Sequence, residues 1–150
     1  VTTSSIQPLN RDACELLASL HGACFPRGWT AEEFDNIYAQ NNVVAFGGYH
    51  ADQAAGFSFG WLAGGEFELL TIAVLPSFRQ QGLARQLLEH TCARAKSQGA
   101  HRVHLEVSVS NTPAHALYRG FGFETVGHRK QYYRYPDGTL EDALTMHCDI

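Results

Sequence analysis

Residues 67–88 read FELLTIAVLPSFRQQGLARQLL. The apolar, β-favouring run ends at Pro76, which cannot donate to a strand ladder. Leu83, Leu87 and Leu88 then take up helical spacing. Between them lies Arg79-Gln-Gln-Gly82, a turn with one glycine and no Ser, Thr, Asp or Asn directly ahead of Leu83. A helix that starts without a side-chain cap leaves its first N–H groups free, and its dipole adds about half a positive charge there. Such a start suits an anion. Gly82 lets the backbone approach a ligand closely, the N–H groups of Gln80, Gln81, Gly82, Leu83, Ala84 and Arg85 converge on it, and Arg79 and Arg85 add full charges. A pyrophosphate fits this description. Neither G-x-x-x-x-G-K-[ST] nor G-x-G-x-x-G is present, which argues against a nucleotide P-loop and a dinucleotide fingerprint.

Working outward, Ile6–Leu9 reads as a short first strand. Asn10 can cap a helix with Ala13, Leu16, Leu17 and Leu20 on one face. CFPRGW (24–29) breaks that helix. Thr30-Ala-Glu-Glu33 has the form of a capping box, opening a helix with Phe34 and Ile37 inward. Three strands follow, Val43–Tyr49, Ala54–Ala63 and Phe67–Leu75, joined by turn residues that suggest hairpins. The long helix spans Leu83 to Ser97, with Gly99 just past its end. Val103, Leu105 and Val107 alternate with His104, Glu106 and Ser108 as in a strand. Thr112-Pro113 opens a fourth helix, ended by Gly120 and Gly122. Strands at Phe123–Tyr132 and Asp142–Cys148 enclose a tyrosine-rich loop. The crossover from Phe67 to Val109 makes its two strands candidate parallel neighbours. The expected class is α/β (α+β): a mixed, mostly antiparallel seven-stranded sheet flanked by four helices, in a single domain over residues 1–150.

The 150 residues are 45% apolar and 17% charged, values that favour a globular chain over a disordered one. A net charge of −4 argues against a nucleic-acid binder and is compatible with a basic peptide substrate. No apolar run reaches the ~18 residues of a membrane span, and the N-terminus has no basic-then-apolar leader. Cys14, Cys24, Cys92 and Cys148 lack C-x-x-C spacing, which suggests reduced thiols in a cytoplasmic protein. The histidines are scattered, and a strand would turn His101 and His104 to opposite faces, so no metal is expected.

The run 70–88 resembles the acyl-CoA-binding core of the GCN5-related N-acetyltransferase (GNAT) superfamily, whose [RQ]-x-x-G-x-[GA] reads here Arg79-Gln-Gln-Gly82-Leu-Ala84. LEVSVSNTPAHALYRGFGF (105–123), CFPRGWTAEEF (24–34) and RKQYYRYPDGTLEDALTM (129–146) are similar to the bacterial ribosomal-protein-alanine N-acetyltransferases, the RimI-type subfamily. The resemblance spans nearly the whole chain. The sequence departs from the pattern at Ala84, where Gly is common, and at Ser108, where many relatives carry Arg. The resemblance implies the GNAT fold, acetyl-CoA as acetyl donor, and β-strand pairing of Ile72, Ala73 and Val74 with the pantetheine amides. It also implies Asn111 as a CoA contact and the N-terminal alanine of a small-subunit ribosomal protein as acceptor.

Acetyl transfer to an amine needs a neutral nucleophile, a stabilised oxyanion and a protonated leaving thiolate. A protein α-amine, with a pKa near 8, costs about 1.4 kcal/mol to neutralise at pH 7, against roughly 4.6 kcal/mol for a lysine. One carboxylate can cover the smaller gap. Glu106 is the candidate base, on the strand face opposite Val103, Leu105 and Val107, and the resemblance implies the same role. Tyr118 is the candidate acid, since a phenol is protonated at pH 7 and can donate to a thiolate. The N–H groups from Ile72 to Val74 are the candidate oxyanion donors. Phe25–Trp29 and Tyr132, Tyr133 and Tyr135 are candidates for the peptide side, and Glu32, Glu33, Asp35, Glu66 and Glu68 could attract a basic tail. Acetylation of a lysine or small amine, and a non-catalytic acyl-CoA sensor, remain open alternatives.

Overall fold

A computed structural model describes residues 4–150. In chain order the elements are β1 (Ser4–Pro8), α1 (Cys14–Cys24), α2 (Ala31–Gln40), β2 (Asn42–His50), β3 (Gln53–Ala63), β4 (Glu66–Val74), α3 (Leu83–Ser97), β5 (Arg102–Ser108), α4 (Thr112–Phe121), β6 (Glu124–Arg134) and β7 (Leu140–Asp149). The seven strands form one sheet in the order β1-β2-β3-β4-β5-β7-β6, and only the β4–β5 pair is parallel. This is the mixed, mostly antiparallel sheet with four helices that the sequence suggests. No helix among the described residues is long and apolar enough to cross a membrane.

Local chemistry accounts for the boundaries. The Thr30 hydroxyl accepts from the Glu33 N–H at 3.1 Å and starts α2. Gly122 ends α4 at φ 116°, a left-handed value that favours glycine. Asn10 behaves differently from expectation. Its Oδ1 accepts from the Asp12 N–H at 2.9 Å and caps a single 3-10 turn, Arg11–Ala13, and α1 begins only at Cys14. β6 runs on to Arg134 and β7 starts already at Leu140 because the hairpin keeps pairing up to that point, and β7 ends at Asp149, paired with Arg102 of β5.

Strand alternation divides the core into two layers. Phe67, Leu69, Val103, Leu105 and Val107 face α3 and α4, where they meet Leu83, Leu87, Leu88 and Tyr118. Ala45, Phe57 and Phe59 face α1 and α2, where they meet Leu17, Leu20 and Phe34. Phe34, Phe57, Phe59 and Phe67 are fully enclosed, so each layer has rigid aromatic ballast.

One irregularity positions everything that follows. Phe59 pairs with Thr71 and Gly60 with Leu69, which leaves Leu70 unpaired as a bulge in β4. Gly60 permits the close approach there, since a Cβ at that position would overlap the Glu68 carbonyl oxygen. Parallel pairing between β4 and β5 covers only Glu66–Leu69 and Arg102–Leu105. Past the bulge the two strands part.

Candidate active site

The parting of β4 from β5 opens a cleft of about 1020 Å³ through the sheet, walled by Leu70–Val74 on one side and Glu106–Ser108 on the other. Ile72, Ala73 and Val74 pair with β3 on their far edge, and Glu106 and Val107 pair with β7 on theirs. Alternate main-chain groups of each strand therefore turn into the cleft without a strand partner. An extended molecule with its own amides can complete the ladder there.

The mouth of the cleft is the turn ahead of α3. Gln80 has φ 63° and Gly82 has φ 81°, so two left-handed residues in three fold the main chain into a concave nest of amides. For Gln80 that conformation costs about 1–2 kcal/mol. Among the described residues, no carbonyl or side chain accepts from the N–H groups of Gln80, Gln81, Gly82, Leu83, Ala84 or Arg85. The first bond of the helix is from the Gln86 N–H to the Gly82 carbonyl, at 3.1 Å. Leu83 is buried against Gly48, which anchors the helix start in the core.

Both arginines beside the turn also make contacts within the chain. Arg79 Nε donates to the Val74 carbonyl at 2.8 Å and ties the turn to the end of β4. Arg85 pairs with Glu89 at 3.3 Å and lies over the Phe121 ring. A neutral carbonyl leaves the Arg79 charge intact, and both arginines line the cleft, so their charges add to the open amides and the α3 dipole at the mouth. Asn111, at the far wall, caps α4. Its Oδ1 accepts from the Ala114 N–H at 3.3 Å, and its own N–H donates to the Ser108 carbonyl.

Glu106 and Tyr118 reach the cleft from opposite faces of the sheet. Glu106 stands opposite the apolar face of β5, its side chain 15% exposed. Its Oε2 accepts from the Thr145 hydroxyl at 2.8 Å, and its Oε1 lies 3.1 Å from Arg129 Nε. Tyr118 projects from α4, 6% exposed, beside Phe123. Burial, and then the neighbouring Tyr133, push its phenol above the usual tyrosine range, so it keeps its proton. The hydroxyl makes no hydrogen bond to any described residue, yet it is not among the sealed-off polar atoms, so the cleft is where it finds partners.

Sequence reasoning passed over His21. It occupies the apolar stripe of α1 with Leu17 and Leu20, which is the signal that could have found it. The ring stacks between Phe25 and Trp29, with centroids at 4.3 and 4.7 Å, and Phe34 meets it edge-on. Its Nδ1 accepts from the Trp29 N–H at 3.0 Å, so a neutral ring carries its proton on Nε2. Gly28 sits so close that a Cβ there would lie 2.6 Å from Gly22 Cα, which clamps the α1–α2 connection against α1. Burial lowers the His21 pKa from 6.5 to about 4. The folded ring is therefore neutral where the unfolded one is protonated, and stability is full above about pH 6.5 and lost as pH falls towards 4. Urea unfolding at pH 7 and 4.5 should show a loss of up to about 3 kcal/mol that His21→Gln reduces. Equal slopes for both proteins would remove His21 as the cause.

The β6–β7 hairpin forms the remaining wall. A register shift between Arg129 and Tyr133, with Gln131 at φ 53°, separates the tyrosines. Tyr133 and Tyr135 line the cleft, while Tyr132 lies outside against Arg129. Glu141 accepts from the Tyr135 hydroxyl at 2.8 Å and the Ser110 N–H at 3.1 Å. Hydrogen bonds from Ser108, Ser110 and Tyr135 hold it at about 2, an ionised clamp between hairpin and the turn before α4. Two of the acidic residues suggested for steering are already paired, Asp35 with Arg11 at 2.6 Å and Glu33 with Arg27 at 3.0 Å.

A family model described as "Acetyltransferase (GNAT) family" matches residues 14–123. The chain is 32% identical to the "[Ribosomal protein bS18]-alanine N-acetyltransferase" of Salmonella typhimurium (strain LT2), over 83% of this chain and 90% of that one. Its fold superposes on the crystal structure of the ribosomal-protein-S18-alanine N-acetyltransferase from Escherichia coli with a TM-score of 0.89 and 29% identity, covering 99% and 94% of the two chains. Arabidopsis thaliana NAA60 in complex with acetyl-CoA shares the fold at a TM-score of 0.85 and 20% identity, over 99% of each chain. The chain belongs to the GNAT acetyltransferase family.

Proposed function

We propose that this protein transfers the acetyl group of acetyl-CoA to a protein N-terminal α-amine, with the N-terminal alanine of ribosomal protein bS18 as the acceptor best supported. The observation that carries this reading is the alignment of three features along one cleft. Six consecutive open amides form its mouth, unpaired strand edges form its walls, and Glu106 and Tyr118 enter it from opposite faces. The relatives named above contribute the acceptor.

The residues present fit coenzyme A. The amides of Gln80 through Arg85 would hold its pyrophosphate, the β4 edge at Ile72–Val74 would pair with its pantetheine amides, and Asn111 would contact it from the α4 side. When bound, it supplies an acetyl thioester. Glu106, directly or through water, takes a proton from the incoming amine. Amides of β4 hold the carbonyl oxygen as it gains charge. Tyr118 gives its proton to the sulfur as the C–S bond breaks, and the new N–C bond completes the amide. The base and the acid work on separate faces, so the proton removed from the amine and the proton given to the thiolate do not compete for one site.

Tyr118→Phe should lower kcat by about 100-fold while the Tm and acetyl-CoA affinity stay near wild type, because the hydroxyl bonds to no described residue. An unchanged kcat would take Tyr118 out of the mechanism. The reading as a whole is tested by incubating the protein with acetyl-CoA and a peptide carrying the bS18 N-terminus, beside the same peptide with its α-amine blocked. Mass spectrometry should find one acetyl group on the first peptide only. Acetylation of the blocked peptide would move the assignment to lysine side chains.

A further inference from the structure

Thr71 stands apart from every other buried polar group. Its Oγ1 is closed to solvent and makes no hydrogen bond, the sole buried side-chain oxygen or nitrogen of the described residues in that condition. Elsewhere the chain satisfies such groups. Ser58, equally buried on the neighbouring strand, bonds Thr91 at 2.7 Å, and Thr91 also bonds the Leu87 carbonyl. Leaving a hydroxyl buried and unpaired is destabilising, and a valine of nearly the same shape would avoid that cost. A local rule broken without local compensation points to a functional site.

The position of Thr71 indicates its use. The residue is 8% exposed and lines the cleft. It directly follows the Leu70 bulge, at the first step where β4 leaves β5. Alternation along β4 sets Phe67, Leu69, Ile72 and Val74 towards α3 and Leu70, Ala73 and Leu75 towards α1 and α2. Thr71, out of phase with Ile72, belongs to the α1–α2 face. Glu106 occupies that same face on β5, opposite Val103, Leu105 and Val107. Extending the register past the Leu69–Leu105 pair sets Glu106 across from the bulge. Glu106 and Thr71 thus flank the opening through which an amine on the α1–α2 side reaches the cleft. A staggered turn about χ1 exchanges the Thr71 methyl and hydroxyl, which brings the oxygen to the cleft without moving the strand.

We infer that the Thr71 hydroxyl is a positioning group for the acceptor amine. A neutral primary amine has two N–H bonds and one lone pair. With one N–H directed to Glu106 or its water and the other accepted by Thr71 Oγ1, the lone pair is aimed into the split at the thioester carbon. Thr71 neither gains nor loses a proton overall; the amine proton goes to Glu106. Fixing the direction of attack in this way raises kcat rather than affinity for the acetyl donor. This inference rests on the transferase reading above.

Thr71→Val and Thr71→Ser test it. Thr71→Val should lower kcat on the N-terminal peptide by about 10-fold or more, with the KM for acetyl-CoA within about two-fold of wild type. The same substitution should raise the Tm by about 2–4 °C, since it removes an unpaired buried hydroxyl. Thr71→Ser, which keeps the hydroxyl, should recover most of the turnover. Slower catalysis in a more stable protein is a pattern that a purely structural residue does not produce. Wild-type kcat in Thr71→Val, with the wild-type protein active, overturns the positioning role and leaves the transferase reading intact. A wild-type protein that acetylates no amine overturns both.

Discussion

Glu106→Gln should reduce turnover on an N-terminal peptide by about 100- to 10,000-fold, the range lost with a general base, while acetyl-CoA should bind as before. The separation of effects follows from placement. Glu106 lies on the α1–α2 face, away from the nest of amides and from the α3–α4 side where Tyr118 stands. Glutamine is isosteric and can still accept from Thr145, so the side chain stays in place and only its basicity is lost. The ion pair with Arg129 disappears as well, but the arginine is more than half exposed, and such a pair contributes about 1 kcal/mol or less. The comparison is made by steady-state kinetics together with calorimetry of acetyl-CoA binding. Turnover within a few-fold of wild type would assign the proton to another group.

The second large effect is on binding. Gly82→Asp should weaken acetyl-CoA by about 100-fold or more, measured by calorimetry. Two causes act together. At φ 81° a residue with a Cβ is strained by about 1–2 kcal/mol, which favours a different turn. The new carboxylate also sits at the α3 N-terminus, where it can accept from the same amides and repel a pyrophosphate. Because aspartate is a good helix cap, the fold should survive and the Tm should change little. Unaltered affinity would mean that the phosphates bind elsewhere.

Both substitutions act on features that the sequence displayed directly. The turn 79–84 was legible because a strand end, a lone glycine and an uncapped helix have few joint explanations. Glu106 was legible because the alternation around it leaves no doubt about its face. The cleft itself was not. It exists because Leu70 is unpaired and β4–β5 pairing stops at Leu69, and register is a property of two strands rather than of either sequence. The insertion of β7 between β5 and β6 is hidden for the same reason. Charge was misleading where a partner lies far along the chain: Asp35 pairs with Arg11 across the α1–α2 layer. His21 and Thr71 read as ordinary helix and strand residues until their neighbours were known. His21 then proves to be a stacked, neutral ring, and Thr71 an unpaired hydroxyl.

The turn before α3 offers an anion atoms that every amino acid shares. Mutation can therefore exchange the side chains of Gln80 and Gln81 freely, provided the signs of the dihedral angles survive. Such a sequence drifts in its letters while its shape stays constant.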